Sequence, residues 1–216
     1  MSDTTATTIE RICRELELQA SAVQVEQLMQ YLALLSQWNS TYNLTSIRDP
    51  SQMLTQHLAD CLAVIPPLRA HLAKHPAVKR LLDVGSGGGL PGVVIAIMQP
   101  GLLVCCVDTV GKKAAFIQQA RSSLKLANLH AEHARVEQMK AAPFDIITSR
   151  AFASLQDFTT LSLARLVEGG IWLAMKGKHP REEIAALPSL VSVFHVEQLQ
   201  VPGLDAERCL VWMRQS

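Results

Sequence analysis

The chain has 216 residues, 49% of them hydrophobic and 18% charged, with a formal net charge of +1. That is enough to bury one good core with a modest extension, and too apolar for a disordered chain. No apolar run reaches the ~20 residues that a membrane-spanning helix needs, and the polar, acidic start MSDTTATTIERICREL is no signal peptide. Five cysteines, an odd number without a CxxC pair, point to reduced thiols in a cytoplasmic protein.

From about residue 7 to 75 the signals are helical. Val25, Leu28, Leu32 and Leu35 recur at helical spacing, with Ser21 as an N-cap just before them. A second helix is expected over 51–64, starting beside Asp49-Pro50 and ending before Pro66-Pro67. Between the two lies WNSTYNLTSIRDP, too polar for core and rich in specific donors.

From about residue 79 short apolar runs alternate with amphipathic stretches. RLLDV, LLVCCVD, HAEHARV, FDIITS and GGIWLAMK read as strands; PGVVIAIMQ, GKKAAFIQQARSSLKLAN and LQDFTTLSLARLVE read as the helices between them. In the second of these helices Ala114, Ile117, Ala120, Leu124 and Ala127 share one face and the lysines another. The neighbours Cys105 and Cys106 are expected to fill the core on opposite faces of a strand. LVSVFHVEQLQV and ERCLVWMRQ then suggest an antiparallel pair at the sheet edge. The expectation is an α/β fold: a Rossmann-like, seven-stranded, mostly parallel sheet closed by a C-terminal antiparallel hairpin. That is the layout of class I methyltransferases, and it differs from the six-parallel-strand dinucleotide fold. Residues 1–75 form an N-terminal helical extension in this reading, and 76–216 a cofactor-binding domain.

The stretch LLDVGSGGGLPGVVIAI breaks an apolar run with four glycines in five residues. A Walker loop is excluded, because Val93 rather than lysine follows Gly92. The dinucleotide fingerprint GxGxxG fails from Gly85, where Leu90 holds the third position, but fits from Gly87 through Gly89 to Gly92. A nicotinamide cofactor therefore stays open on this stretch. Asp83-x-Gly85-x-Gly87-x-Gly89 also suits S-adenosylmethionine, which has no diphosphate to cradle. Backbone then lies close to a nucleoside, Asp83 stands near an ammonium group, and Asp108 at the next strand end accepts ribose hydroxyls. Asp108 serves either cofactor equally.

DVGSGGGLPG, VDTVGKKAAFI, RVEQ, FDIITSRAFASL and AMKGK, preceded by WNSTYNLTSIRDP and QHLADCL, together resemble the RsmG (GidB) family from about residue 25 to the C-terminus. Members of that family are bacterial methyltransferases that modify guanine N7 in the 530 loop of 16S rRNA, using S-adenosylmethionine. The resemblance implies cofactor contacts at Gly85, Gly87, Gly89 and Leu90, with Asp108 at the ribose. It puts Val136 and Glu137 beside the adenine, and Arg150 beside the transferred methyl and the target base. The chain departs from the family at Gly88, where alanine or proline is frequent, and at Cys61, where serine is common.

The chemistry agrees with this resemblance. Guanine N7 attacks through an in-plane lone pair, so no strong general base is required, and none is patterned in the sequence. Nor is there the (N/D)PP(Y/F) motif of exocyclic-amine methyltransferases; SRAF occupies that slot. Arg150 is suited to stack on guanine or to grip O6 or a phosphate, with a salt bridge as its plain structural alternative. His57 and Asp60, at i and i+3, share a helix face and with Asn43 are expected to line the target pocket, although a lone histidine there is most often structural. Lys112 and Lys113 open a basic stretch with Arg121, Lys125 and Arg135; they and Lys176 are candidate RNA contacts, set against a solvated face or snorkelling. No metal is expected. The partner expected is 16S rRNA or the small ribosomal subunit, met by a monomer away from any membrane. The rivals are an NAD(P)-dependent enzyme using the Gly87 register and a non-catalytic RNA-binding assembly factor on the same fold.

Overall fold

The computed structural model describes residues 3–150, 152 and 154–216. Helix α1 (Asp3–Glu15) leads into α2 (Ala22–Tyr42). Ser21 caps α2 as expected: its hydroxyl accepts from the Gln24 N–H, and the Gln24 side chain accepts from the Ser21 N–H. Val25, Leu28, Leu32 and Leu35 are buried, and Tyr31 and Asn39 join them on the same face.

The expected single helix over 51–64 is interrupted. Asp49 caps α3 (Pro50–Met53), the coil widens into a π-helical segment, Leu54–Ala59, and it tightens again in α4 (Asp60–Leu62). The stretch does end before Pro66 and Pro67, at Leu62, but the prolines start a further helix: they sit in the first turn of α5 (Ile65–Lys74), where a missing N–H costs nothing.

The alternating part runs β1 (Arg80–Val84), α6 (Gly92–Met98), β2 (Leu103–Asp108), α7 (Gly111–Ser123), β3 (Leu129–His133), β4 (Phe144–Ser149), α8 (Leu155–Ser162), β5 (Leu166–Lys176), α9 (Arg181–Ala185), β6 (Val191–Gln198) and β7 (Cys209–Gln215). The strand order is β3-β2-β1-β4-β5-β7-β6, with β1 to β5 parallel and β7 antiparallel to both neighbours. Two expected helices prove too long. Lys125 takes a left-handed conformation (φ 55°) beyond the end of α7, so Ala127 lies exposed outside it. After α8, Leu166 pairs with Phe144 and is buried, which draws 166–168 into β5.

Each sheet face carries its own core. On one, Leu81, Cys106, Ile146 and Leu173 pack with Val93 and Ile95 of α6 and with Ile9, Leu28, Leu35 and Leu62 of the N-terminal helices. On the other, Leu82, Cys105, Val107 and Ile147 pack with Phe158 and Trp172. Cys105 and Cys106 thus face opposite ways, as alternation requires, and all five cysteines are free and buried. The N-terminal helices share the core of one face. This brings their loops against the carboxyl ends of β1, β2 and β4.

Candidate functional site

β1 ends in a tight turn in which Gly85 and Gly87 have φ of +67° and +58°, a region that side chains rarely adopt. The N–H groups of Gly85 and Ser86 both donate to the Val107 carbonyl, tying the turn to β2. A Cβ added at Gly85 or Gly87 would meet nothing closer than 3.9 Å, so these two present bare backbone to the cleft with room beside it. Gly88 and Gly92 have a different reason, and Gly89, whose φ is +81°, has both. At Gly88, Gly89 and Gly92 in turn, a Cβ would lie 2.9 Å from Leu35, 2.4 Å from Val93 and 2.3 Å from Cys106, so these glycines serve close packing. The Tyr31 hydroxyl, fully buried on α2, donates to the Gly88 carbonyl at 2.6 Å and fixes the turn to the helical extension.

Asp108, at the end of β2, accepts from the N–H of Gly87 and of Val110, each at 2.9 Å. Each carboxylate oxygen retains accepting capacity. Asp83 sits beneath the turn and is fully enclosed: one oxygen accepts from the Gly92 N–H at 2.9 Å and the other has no partner among the described residues. Burial pushes its carboxyl up to about 7, against the opposing effects of the Gly92 hydrogen bond and the Arg150 charge.

Two clefts open at this end of the sheet. The first, about 590 Å³, is walled by Gly85, Gly87, Leu90, Asp108, Lys113 and Phe152, and closed by Thr45 from the loop after α2. The second, about 400 Å³, is walled by Gln56, Asp60, Lys176 and Arg208. His57 and Arg150 line both, so the clefts meet at these two side chains. Arg150, just beyond β4, donates to the Gln56 carbonyl (3.1 Å) and to Asp60 (3.4 Å), and its Nη1 lies 3.2 Å from His57 Nδ1. Asp60 is shared, because its other oxygen accepts from Arg208 Nε at 2.9 Å. Burial, and then the Arg150 charge, press His57 down to about 4, so its ring is neutral. The π-helical segment brings the Gln56 carbonyl, His57 and Asp60 together on one side, a use of π-turns common at functional sites.

The expected site residues are therefore partly gathered. Arg150, His57, Asp60, Gly85, Gly87, Leu90, Asp108, Lys113 and Lys176 line one cleft or both. Among the described residues lining them, Asn43, Asp83, Gly89, Lys112, Val136 and Glu137 are absent. Asn43 is an exposed left-handed helix cap accepting from Arg48. Asp83 lies too deep for the direct contact expected of it, and Gly89 is turned into the packing. Lys112 is exposed. Val136 and Glu137 occupy a 3₁₀ turn after β3, where Val136 is buried and Glu137 pairs with Arg135 at 3.5 Å. Lys176 is already met by both oxygens of Glu183, at 2.7 and 3.0 Å. Ala151 and Ala153 of the SRAFASL motif lie outside the described residues. Sequence reasoning missed Tyr31, Thr45 and Arg208. Nothing in the spacing of α2 marks Tyr31; Thr45 sits in the donor-rich WNSTYNLTSIRDP stretch without being singled out there, and Arg208 carries no pattern of its own.

A further cavity, about 680 Å³, lies elsewhere, between α1, α2 and α3, and has no charged side chain among its described lining residues. Among the described residues no group of three His, Cys, Asp or Glu is placed to hold a metal, and no helix is long and apolar enough to cross a membrane.

A β3-β2-β1-β4-β5-β7-β6 sheet with a glycine turn after β1 and a carboxylate ending β2 defines a class I methyltransferase fold. It also closes the nicotinamide register, since β7 runs antiparallel and Gly89, whose backbone a diphosphate would have to approach, is packed against Val93. Solved structures agree on the fold. TrmN from Thermus thermophilus superposes with a TM-score of 0.55 at 18% identity, covering 76% of this chain and 53% of that one. A ribosomal protein L11 methylase from Lactobacillus delbrueckii gives 0.53 at 11% identity, covering 68% and 76%. The family described as rRNA small subunit methyltransferase G (GidB) matches residues 24–211, and the chain belongs to it. The ribosomal RNA small subunit methyltransferase G of Acidovorax ebreus is 59% identical over 99% of both chains. That of Albidiferax ferrireducens is 60% identical over 89% of both.

Proposed function

We propose that the protein transfers a methyl group from S-adenosylmethionine to N7 of a guanine in the 530 loop of 16S rRNA, acting as a monomer in the cytoplasm. The observation that carries this reading is the meeting of two clefts at His57 and Arg150. One is walled by an open glycine turn and a carboxylate, the other by cationic side chains.

The residues present fit the cofactor. Gly85 and Gly87 leave room for a nucleoside against bare backbone, and Asp108 has accepting capacity for its hydroxyls. Val136 and Glu137 then flank the adenine, from the turn after β3. Asp83 acts from beneath, holding the start of α6 through the Gly92 N–H rather than touching ligand. When bound, the cofactor supplies a methyl group on a positively charged sulfur.

The chain's part is placement. A guanine N7 lone pair needs no proton removed, and correct orientation is worth several orders of magnitude in rate. Methylation leaves the base cationic, so a guanidinium pressed on N7 opposes the reaction, whereas one on O6 or a neighbouring phosphate supports it. Arg150 takes that second position, with its direction fixed by Gln56 and Asp60. Neutral His57 adds no charge at the junction. Residues 76–216 hold the cofactor in this reading, and 1–75 shape the RNA side through Gln56, His57 and Asp60. Lys112, Lys113 and Lys176 meet RNA phosphate, Lys176 by exchanging Glu183 for it.

The test is methylation of purified small subunits, read by primer extension after chemical cleavage at N7-methylguanosine. Modification in the 530 loop is expected with the protein and none without it. Arg150→Ala is expected to abolish it while the protein remains folded. Full activity of a folded Arg150→Ala protein would falsify the role given to Arg150.

A further inference from the structure

The loop between α2 and α3 is held by Asn39, whose amide donates to the Ile47 carbonyl and whose oxygen accepts from the Thr45 N–H, both at 2.8 Å. This places Thr45 Oγ1 2.6 Å from His57 Nε2, while the same oxygen accepts from the Ile47 N–H at 3.2 Å. Across the ring, Nδ1 lies 3.2 Å from Arg150 Nη1 and 3.1 Å from the Gln56 carbonyl. The ring is neutral, so one nitrogen carries a proton and the other a lone pair.

Two arrangements compete. A proton on Nδ1 points at the Gln56 carbonyl, but it also stands beside a guanidinium nitrogen that only donates, and that carbonyl already accepts from Arg150. A proton on Nε2 leaves the Nδ1 lone pair facing the guanidinium, with the Gln56 carbonyl 3.1 Å away as an opposing acceptor, and sends Nε2–H to Thr45 Oγ1. The fixed cation beside Nδ1 selects the second arrangement. Both lone pairs of Thr45 Oγ1 are then filled, one by His57 and one by the Ile47 N–H. The hydroxyl's own proton is left for the first cleft, which Thr45 lines.

We propose that Thr45 is a binding residue of the first cleft, its hydroxyl set by the Arg150–His57 pair to donate to a ligand carboxylate, the acceptor end of an amino-acid tail. Asp108 only accepts and therefore faces the ligand's donors. The end formed by Thr45 and Arg150 presents donors and positive charge, and suits a carboxylate. His57 is a positioning residue here, since it sets which way Thr45 donates. The inference rests on the reading of this cleft as an S-adenosylmethionine site.

The test compares calorimetric binding of S-adenosylmethionine with that of 5′-methylthioadenosine, which keeps the nucleoside and lacks the tail. Thr45→Val is expected to weaken S-adenosylmethionine about tenfold, as loss of a hydrogen bond to a charged group does, and to leave methylthioadenosine unchanged. Thr45→Ser is expected to bind both like the parent. Long-range proton–nitrogen NMR of the parent protein is expected to show His57 protonated on Nε2, and in Arg150→Ala to show that preference lost. Equal weakening of both ligands by Thr45→Val marks a structural role and overturns the proposal. Unchanged S-adenosylmethionine binding, or a His57 proton on Nδ1, overturns it as well. A parent protein that binds methylthioadenosine but gains nothing from the tail refutes the carboxylate contact alone. One that binds neither ligand refutes the reading of the cleft, and this inference with it.

Discussion

Asp83 and His57 are both buried, both feel the Arg150 charge, and respond to pH in opposite senses, so replacing one should expose the other. Asp83 is raised from 3.8 to about 7, and His57 lowered from 6.5 to about 4. Between those limits the unfolded chain carries an ionised Asp83 and a protonated His57, while the folded chain carries both groups neutral. As pH rises, the unfolded state gains from releasing the Asp83 proton, and stability falls by about 1.4 kcal/mol per unit. Over the same range the unfolded state progressively loses its His57 proton, and stability rises by about the same amount. The two slopes cancel in the parent protein. Asp83→Asn removes one of them, so between pH ~4.5 and ~6 its stability should climb by ~1.5–2 kcal/mol relative to the parent. For a chain of this size that is about 3–8 °C in melting temperature. His57→Gln should tilt the other way by a similar amount. Thermal and urea unfolding of the three proteins at both pH values, compared as differences from the parent, measures this and removes the shared titration of surface groups. An Asp83→Asn profile parallel to the parent's would refute the argument, for it would mean that Asp83 is ionised in the folded protein.

Tyr31→Phe deletes the donor to the Gly88 carbonyl and leaves a buried acceptor, which should cost about 1–3 kcal/mol in urea unfolding. A parent-like midpoint would show that the bond does not hold the turn. Gly87→Ala and Gly89→Ala should part company. The first meets no close atom and loses cofactor affinity with only the ~1–2 kcal/mol strain of a side chain at φ +58°; the second adds to a similar strain a methyl 2.4 Å from Val93 and loses more stability. Equal unfolding midpoints with equal ligand titrations would refute that division. Asp60→Asn withdraws the charge that Arg150 and Arg208 share, and should cost ~2–4 kcal/mol together with most methyl transfer. Activity within twofold of the parent would mean that the arginines orient themselves without it.

Much of the fold was legible because its causes are local. Alternation buries Cys105 on one face and Cys106 on the other, and the Ser21 cap with Gln24 starts α2 where the spacing of its leucines begins. Helix ends were misjudged where a distant contact decides them, as when pairing of Leu166 with Phe144 turns the expected helix end into β5. Pro66 and Pro67 marked a true boundary, since α4 ends at Leu62, but they did not show that a further helix starts there, because proline is as much at home in a first turn as it is foreign to a helix interior.

The site divides along the same line. The glycine turn and Asp108 are twenty-odd residues apart and sit on consecutive strands, so the order of elements brings them together. Arg150, His57 and Thr45 also meet, but from β4, a π-helical segment and a loop, elements with no rule for their mutual approach. Apart from the family motifs, Thr45 and Arg208 are an ordinary threonine and an ordinary arginine, and only the folded chain places them against His57 and Asp60. Glycine spacing alone left two cofactor registers open. What decides between them is what a side chain would strike: nothing closer than 3.9 Å at Gly85 and Gly87, but Val93 at 2.4 Å from Gly89, the glycine that a diphosphate would have to approach. A turn that approaches a ligand and a turn that approaches its own helix read alike in sequence, and they differ only in what lies beyond the missing Cβ.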